Sequence, residues 1–596
     1  MRNGYHQAYA AWKRDPEAFW REAASDIDWF KPAERIFTPN EGVYGRWFSD
    51  AETNTCHNCL DRHVAAGRGG ETAVIFDSTM NGEKRRFTYD EVLREVMAIA
   101  AALVERGIGK GDRVILYMPM VPQAVFSMLA CARIGAVHSV VFGGFAASEL
   151  AARIDDCAAK LVITASCGLE PGRIVAYKPL VDQAIEIARS KPECCLVLQR
   201  PELRADLVSG RDHDFEVAVA QHRGDEIACV SVKATDPLYI LYTSGTTGQP
   251  KGVVRDNGGH MVALNWSMRN IYGLKPGEVF WTASDIGWVV GHSYIVYAPL
   301  LSGVTTLIFE GKPVGTPDAG TFWRIVSEYQ VRVLFTAPTA FRAIRREDGE
   351  GELMRQYPMP DLRALFLAGA LPVKHGSPAL PMPGYDIAVL DDAGHPIEAG
   401  TLGNIVVKLP LPPGCLPTLW NADERFRSAY LDEFPGYYKT ADAGYVDEDG
   451  YLFIMSRTDD IINCAGHRLS TGAMEEVCAR HPDVAECAVI GVIDALKGQA
   501  PCGFLVLKRH VSRDATAIES EVVAMIRDSI GPVAAFKTAI TVNRLPKTRS
   551  GKILRGTMQK IADGIPWKMP ATIDDPMILE EIAEALRGRG LGSLPM

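Results

Sequence analysis

What this chain has little of narrows its class first. No apolar run reaches the ~20 residues that a bilayer demands. The opening stretch, MRNGYHQAYAAWKRDPEAFW, holds no apolar core of the kind a secretory leader needs. Both absences lead to the expectation of a cytoplasmic protein with no membrane partner. Cationic charge is in deficit as well. The 63 Lys and Arg stand against 73 Asp and Glu, a formal charge of −10, which leaves no basic footprint for nucleic acid. The 13 cysteines are odd in number and irregularly spaced, several of them inside apolar runs (Cys131, Cys157, Cys487). That pattern favours reduced thiols over a disulfide framework. Cys56-His57-Asn58-Cys59, with His63 close by, hints at zinc. No second Cys-x-x-Cys follows at finger spacing, so a structural N-terminal segment is the preferred reading and the metal ligands stay unknown. No Ser-His-Asp or Cys-His arrangement stands out, so covalent catalysis by a side chain is not expected.

What is present is an ordinary globular composition, 47% hydrophobic and 23% charged over 596 residues. Such a chain is too long for one core and calls for at least two domains. Its centre is LYTSGTTGQPKG, residues 241–252. The apolar run 237–242 reads as a buried strand. It empties into Thr243, Ser244, Gly245, Thr246, Thr247 and Gly248, then Lys251. Two glycines that let the backbone turn, successive N–H groups, four hydroxyls and one lysine suit a polyphosphate. A Gly/Ser/Thr surface loop is the bland alternative, weakened by the strand before and the lysine after. The Walker A pattern is absent here, which excludes a nucleotide-binding site of that type.

Around this stretch the pattern alternates. Strands are expected at 112–118, 137–142, 161–165 and 195–198, and helices at 122–134, 148–159 and 183–190, after a capping-box helix opened by Thr88 and Glu91. Alternation with apolar strands predicts a parallel sheet covered on both faces. Residues 281–292, WTASDIGWVVGH, look like a small apolar pocket, because Gly287 and Gly291 are odd choices for a core. Beyond residue 460 a smaller α+β domain is expected, with helices near 473–481 and 517–530. The decapeptide PKTRSGKILR at 546–555 puts Lys552 on an exposed loop tip. A lone loop lysine is ordinarily just solvated.

These stretches together resemble the adenylate-forming superfamily, over nearly the whole chain. The flank GQPKGVVRDNGGHMVALNWSMRNIYG looks most like the short-chain acyl-CoA synthetase branch, and there the propionate-activating enzymes more than the acetate-activating ones. The resemblance implies a large N-terminal α/β domain of parallel layers with a small β-barrel subdomain, then a mobile α+β C-terminal domain. The expected extents are 1–76 for an N-terminal extension, 77–458 for the large domain and 459–596 for the small one, with a hinge at Asp459. It implies that 243–248 and Lys251 hold ATP phosphates. Gly369, Asp442, Arg457 and Arg468 hold AMP and its ribose. Trp288, Val289, Val290 and Gly291 line the acid's carbon chain, Arg173 and Arg527 meet the CoA nucleotide, and Lys552 is catalytic. Glu170 stands where the family has a second CoA arginine. Ala441 replaces the glycine of a Thr-Gly-Asp pattern, so a positive φ there would cost on the order of 1 kcal/mol.

The resemblance breaks at LFLAGA, residues 365–370, which run straight into LPVKHGSP. The family has a sizeable segment between them, with a glutamate where Ala370 stands and a Thr-Glu-Thr-Gly-like motif that walls the adenine and serves the magnesium ion. No such motif occurs in this sequence. A genuine deletion, a faulty gene model and substitution by another segment all remain open.

The implied chemistry has two half-reactions. A short carboxylate attacks the α-phosphorus of ATP, with Mg²⁺ on the β- and γ-phosphates, and gives an acyl-adenylate and pyrophosphate; CoA thiol then takes the acyl group and releases AMP. Propionate is the expected acid, acetate next. The expected partners are these small molecules, with a lysine acyltransferase or deacylase acting on Lys552 as a further one. The alternative from another class is an inactive or impaired relative that binds nucleotide phosphates without catalysis.

Overall fold

The computed structural model of the protein describes every residue except 1, 144, 244–250, 367–373, 459–460, 465–466, 496, 509–510, 531–534, 549–550, 571–572 and 592–596. The chain forms two compact units. One is Met1–Pro372 with Met382–Gly384 and Pro410–Ser428; the other is Val373–Pro381 with Tyr385–Leu409 and Ala429–Met596.

The first unit is built on two open sheets rather than the single parallel sheet that alternation alone implies. The seven-stranded sheet runs Asp212–Asp214, Cys194–Leu198, Leu161–Ala165, Arg113–Tyr117, Val137–Val140, Pro237–Thr243, Lys251–Asp256. Its pairs are parallel except the last. The six-stranded sheet runs Ala364–Phe366, Val331–Thr336, Val279–Ala283, Thr305–Glu310, Thr72–Ser78, Lys84–Thr88, again parallel up to an antiparallel edge. Side chains alternate across each strand. Val114 and Leu116 therefore enter the core that the two sheets share, while Ile115 and Tyr117 enter the core on the opposite face. The helices Tyr89–Glu105 and Pro122–Arg133 contribute most of their buried residues to the shared core.

The local signals act as expected. Thr88 caps Tyr89–Glu105 through a full capping box: its Oγ1 accepts from the Glu91 N–H at 3.2 Å, and Glu91 accepts from the Thr88 N–H at 2.8 Å. Asp15 accepts from the Ala18 N–H at 2.9 Å, with Pro16 at the first helical position. A short hairpin, Cys167–Glu170 with Arg173–Ala176, lies where the sequence pattern carries no signal.

In the second unit, the strands expected in a small barrel form a four-stranded antiparallel sheet: Ile387–Leu390, Gly403–Lys408, Tyr437–Val446 and Leu452–Arg457. A five-stranded sheet follows, with Val484–Asp494 and Gly498–Leu507 as its long hairpin. Helices Thr471–Ala479 and Ala515–Ile530 cover one face, and Arg555–Ala562 and Met577–Arg587 the other. Both sheets cluster in one unit. Among the described residues no helix is long and apolar enough to cross a membrane.

A buried ion pair joins the carboxyl ends of the two sheets in the first unit. Arg200, just past Cys194–Leu198, donates to both oxygens of Glu310 at 2.6 and 3.0 Å. The Ser78 hydroxyl donates to the same carboxylate at 2.8 Å. Arg200 is 6% exposed and Glu310 4%, so neither charge has water in place of its partner. Removing one partner of such a pair costs about 3–5 kcal/mol, because the other is left buried and uncompensated. Arg200→Met is accordingly expected to lower stability by about 3–5 kcal/mol in urea unfolding, whereas Arg346→Ala, on an exposed helix face, should stay within about 0.5 kcal/mol of wild type.

Candidate active site

The strands of the first unit end at a cavity of about 210 Å³. Ligand sites in open α/β sheets lie outside the carboxyl ends of strands, and both sheets contribute here. Met118, Met120 and Phe142 follow strands of the first sheet; Glu310 ends a strand of the second, and Asp285 and Lys312 follow its strands.

The turn at 285–291 begins beside this cavity. Asp285 caps it by accepting from the Gly287 N–H at 2.7 Å, and the Trp288 N–H donates to the Asp285 carbonyl at 3.1 Å. A Cβ on Gly291 would lie 2.0 Å from the Asp285 carbonyl oxygen, so no other residue fits there. Gly287 is also tight, with Phe142 Cα at 3.1 Å from a would-be Cβ. Gly291 is buried and Val290 half-buried, while Trp288 and Val289 are 42% and 40% exposed. The Trp288 ring lies 5.8 Å from Phe142. The chain then winds into a π-helical turn, His292–Tyr297, a rare geometry found often at functional sites. His292 Nδ1 meets the Trp288 carbonyl at 3.0 Å and so fixes the turn from behind.

Of the phosphate stretch, Thr243 ends the strand Pro237–Thr243 and is exposed; Lys251 opens the antiparallel neighbour and is directly opposite it. Ser244, Gly245, Thr246, Thr247 and Gly248 lie outside the described residues. The strands Pro237–Thr243 and Lys251–Asp256 are thus antiparallel neighbours at one edge of the sheet. Gly369 and Asp459 also lie outside the described residues, as does Ala370.

In the second unit Asp442 and Arg457 are brought together. They are register partners across Tyr437–Val446 and Leu452–Arg457, and Arg457 Nη1 lies 3.6 Å from Asp442 Oδ1. The register shifts between Ile405 and Val406, so Thr440 and Ala441 form a bulge that turns the chain just before Asp442. Ala441 takes φ +62°, the left-handed conformation anticipated for a position where the family pattern has glycine. Thr440 Oγ1 secures the bulge: it donates to the Ile405 carbonyl at 2.7 Å and accepts from the Asp442 N–H at 3.1 Å. Arg468 lies on the strand His467–Ser470, opposite Asn463; its side chain is not described.

Lys552 is exposed at a tight turn. The Lys552 N–H donates to Thr548 Oγ1 at 3.0 Å, the Thr548 N–H donates to the Lys552 carbonyl at 2.8 Å, and Gly551 takes φ +83°. Glu475 anchors the base of this turn by accepting twice from Arg555, at 2.8 Å each. Arg527 is exposed on Ala515–Ile530. Arg173 is exposed opposite Glu170 in the short hairpin. Glu170 pairs with Lys312 at 3.0 Å on the cavity wall, a contact with no signature in the sequence because the two residues lie far apart in it. The zinc-like cluster does not assemble as Cys56, Cys59 and His63: His63 Nε2 is bound to the Leu300 carbonyl at 2.8 Å and Cys59 Sγ faces the Tyr297 carbonyl.

This geometry leads to two expected outcomes. Burial pushes Asp285 up to about 6, a rise reinforced by Glu170 and opposed by the Gly287 N–H and Lys312. Unfolded, its value is about 3.9. Between these values the unfolded chain releases a proton that the folded chain keeps, so ionised Asp285 subtracts stability as pH rises through the window and by its full amount above it. The carboxylate is partly open to the cavity, which reduces the effect. Asp285→Asn should therefore gain about 1–2 kcal/mol over wild type at pH 7.5, and lose most of that advantage by about pH 4.5, in chemical unfolding. Ala441→Gly should relieve the left-handed methyl and stabilise by up to about 1 kcal/mol in the same measurement, part of the gain being offset by the freer unfolded chain.

The AMP-binding enzyme family matches residues 61–375, the AMP-binding enzyme C-terminal domain matches 473–552, and the acetyl-coenzyme A synthetase N-terminus matches 5–59. The human mitochondrial acyl-CoA synthetase short-chain family member 3 is 48% identical, over 98% of this chain and 91% of its own. The propionate–CoA ligase of Escherichia coli K12 is 42% identical, over 96% of this chain and 98% of its own. The acetoacetyl-CoA synthetase from Streptomyces lividans superposes with a TM-score of 0.87 at 23% identity, over 97% of this chain and 94% of its own, which shows the fold. The chain belongs to the AMP-binding enzyme family and, within it, to the short-chain acyl-CoA synthetases.

Proposed function

We propose that this enzyme joins propionate to CoA through an acyl-adenylate, with acetate the next acid in preference. The observation that carries the choice is the 42% identity, end to end, with a propionate–CoA ligase. Acyl-CoA synthetases of this family use ATP, Mg²⁺ and CoA.

Most of the first half-reaction is positioning and charge neutralisation at phosphate. Residues 243–248 and Lys251 hold the pyrophosphate end of ATP by backbone N–H groups, hydroxyls and one ammonium. Asp442 accepts from the ribose hydroxyls, and Arg457, Arg468 and the backbone at Gly369 hold the rest of AMP. Lys552 reaches the reacting carboxylate and the α-phosphate, where its charge offsets the negative charge that builds in the transition state. The acid's carbon chain lies along Trp288, Val289, Val290 and Gly291. Arg173 and Arg527 meet the CoA phosphates, and a hinge at Asp459 between domains 77–458 and 459–596, beyond the extension 1–76, exchanges the Lys552 surface for a CoA-binding one. Among the described residues the one close group of possible metal ligands, Cys56, Asp61 and Cys229, contains soft thiols that do not suit Mg²⁺. Mg²⁺ neutralises nucleotide phosphate charge when bound, and its protein ligands are left unassigned.

We also infer that the chain is shortened after Ala370. Its 596 residues align over 625 positions with the human relative and 618 with the bacterial ligase, which supports an internal loss. The thirteen free thiols support a reducing compartment, the cytoplasm. Exposure of Lys552 supports its use by a lysine acyltransferase or deacylase, since acylation removes the charge the chemistry needs.

The test is ATP–pyrophosphate exchange dependent on propionate, acetate or butyrate. Robust exchange with propionate is expected, weaker with acetate, and Lys552→Ala should lower it at least ~10²-fold. A higher kcat/KM for acetate or butyrate would replace propionate. Absence of exchange with every short acid, in folded protein, would mean that the loss after Ala370 has removed the chemistry.

A further inference from the structure

We propose that Cys56 and Cys229 form a reversible intramolecular disulfide when the protein meets a peroxide, which makes this pair a site of oxidative modification. The two residues are distant in sequence, yet their sulfur atoms and one Asp61 carboxylate oxygen lie within 4.8 Å of one another. The backbone around them is already held together. Glu52–Thr53 pairs antiparallel with Val232–Lys233, and the Asn54 amide donates to the Val230 carbonyl at 2.9 Å. The same amide donates to the carbonyls of Ala132 and Arg133 at 2.9 and 3.1 Å, on the helix end that carries Arg133. Closing the sulfurs to a bond of about 2.05 Å therefore needs side-chain rotation and no new chain pairing.

The charges around the pair select thiol chemistry over metal binding. Arg133 is 2% exposed, and its Nη1 lies 3.7 Å from Cys56 Sγ. Its two terminal nitrogens donate to both oxygens of Asp61 at 2.9 and 3.0 Å. A divalent cation here would face that fixed positive charge and find the only hard ligand already taken. The same charge favours the negative charge that develops on sulfur during thiol–disulfide chemistry. A hydrogen bond to Cys56, then burial, holds the Cys229 thiol well above the ordinary range, so its proton must leave as its sulfur attacks, and the Asp61 carboxylate to which the thiol donates at 3.7 Å is placed to take it.

Access sets the order of events. Cys56 is fully buried, while Cys229 is partly exposed between the exposed Ala228 and Val230. Hydrogen peroxide reaches Cys229 first: the O–O bond breaks, one oxygen joins sulfur as a sulfenic acid, and the other leaves as water. Cys56 then attacks that sulfur, the S–O bond breaks, and the oxygen leaves as a second water with the Cys56 proton. Two thiols lose two electrons and two protons, and one peroxide becomes two waters. Cys59, also fully buried, is turned toward the Tyr297 carbonyl and takes no part.

The consequence is a staple between residues 52–58 and the segment that leads into Pro237–Thr243. A cross-link that closes so long a loop restricts the unfolded chain strongly. The experiment uses the full-length protein, fully reduced and then given a small excess of hydrogen peroxide. Non-reducing digestion and mass spectrometry should find a Cys56–Cys229 peptide pair two hydrogens lighter than the sum of its parts, reversed by dithiothreitol. The thermal midpoint should rise by several degrees on oxidation, and the rise should be absent in Cys229→Ser and in Cys56→Ser. The mapping needs no variant, so a poorly folded substitution leaves the test intact. Cys56 and Cys229 both still alkylatable after peroxide, a sulfinic acid on Cys229 with Cys56 untouched, or stoichiometric zinc retained by the reduced protein and lost in Cys229→Ser would each overturn the proposal.

Discussion

The cavity at the strand ends depends on a charge pair that two sheets share. Arg200 belongs to the end of one sheet, Glu310 to the end of the other, and Ser78 bonds the same carboxylate from a neighbouring strand. In water such a pair is worth little; buried on both sides, neither member can be removed alone without leaving a bare charge. Glu310 also lines the cavity, so the interaction that holds the sheet ends together forms part of the site's wall. Next to it Asp77 is held by both nitrogens of the Arg324 fork and by the Tyr329 hydroxyl. The second sheet is thus edged by acids whose partners come from other elements, and the loops after its strands start from fixed points.

On this frame the site carries local strain where positioning demands it. Gly291 leaves no room for a side chain against the Asp285 carbonyl, burial raises the Asp285 carboxyl at the cavity, and Ala441 holds a left-handed backbone in a bulge. The last two cost stability, and the three features set the turn after Asp285, the cavity carboxyl and the Asp442 carboxylate that faces Arg457. The Lys552 turn differs. It is exposed, and its rigidity comes from below, through Arg555 on Glu475 and Lys547 on Glu486. Lys552 is thus exposed at the tip of a turn that is held at its base.

Much of this is legible in the amino-acid sequence. The capping box at Thr88 and Glu91, the N-cap at Asp15, the strand leading into the phosphate stretch and the α+β C-terminal part all rest on local signals, and local signals survive in the fold because each is satisfied within a few residues. The glycines at 287 and 291 are conspicuous because small residues around two tryptophans do not fill a core. Even the strain at Ala441 is foreseeable from an alanine in a glycine's place. Pairing between distant elements is what the sequence leaves hidden. Alternation of strand and helix announces parallel strands, but not that they divide between two sheets, since each strand's pattern is the same in either. The hairpin Cys167–Glu170 with Arg173–Ala176 has too few residues to show a period.

The sequence by itself determined the chemistry available: a hydroxyl- and glycine-rich turn after a buried strand, a lysine on a loop tip, an aspartate after a threonine, and thiols in no regular array. Only the tertiary structure decided which of these meet. Glu170 with Lys312, Arg200 with Glu310, and Cys56 with Arg133 and Cys229 are neighbours across long separations. The reason is that charge and sulfur carry no periodicity. An apolar residue announces its face by its spacing, whereas a buried ion or thiol pair is specified by the packing that surrounds it, and that packing exists only once the sheets have come together.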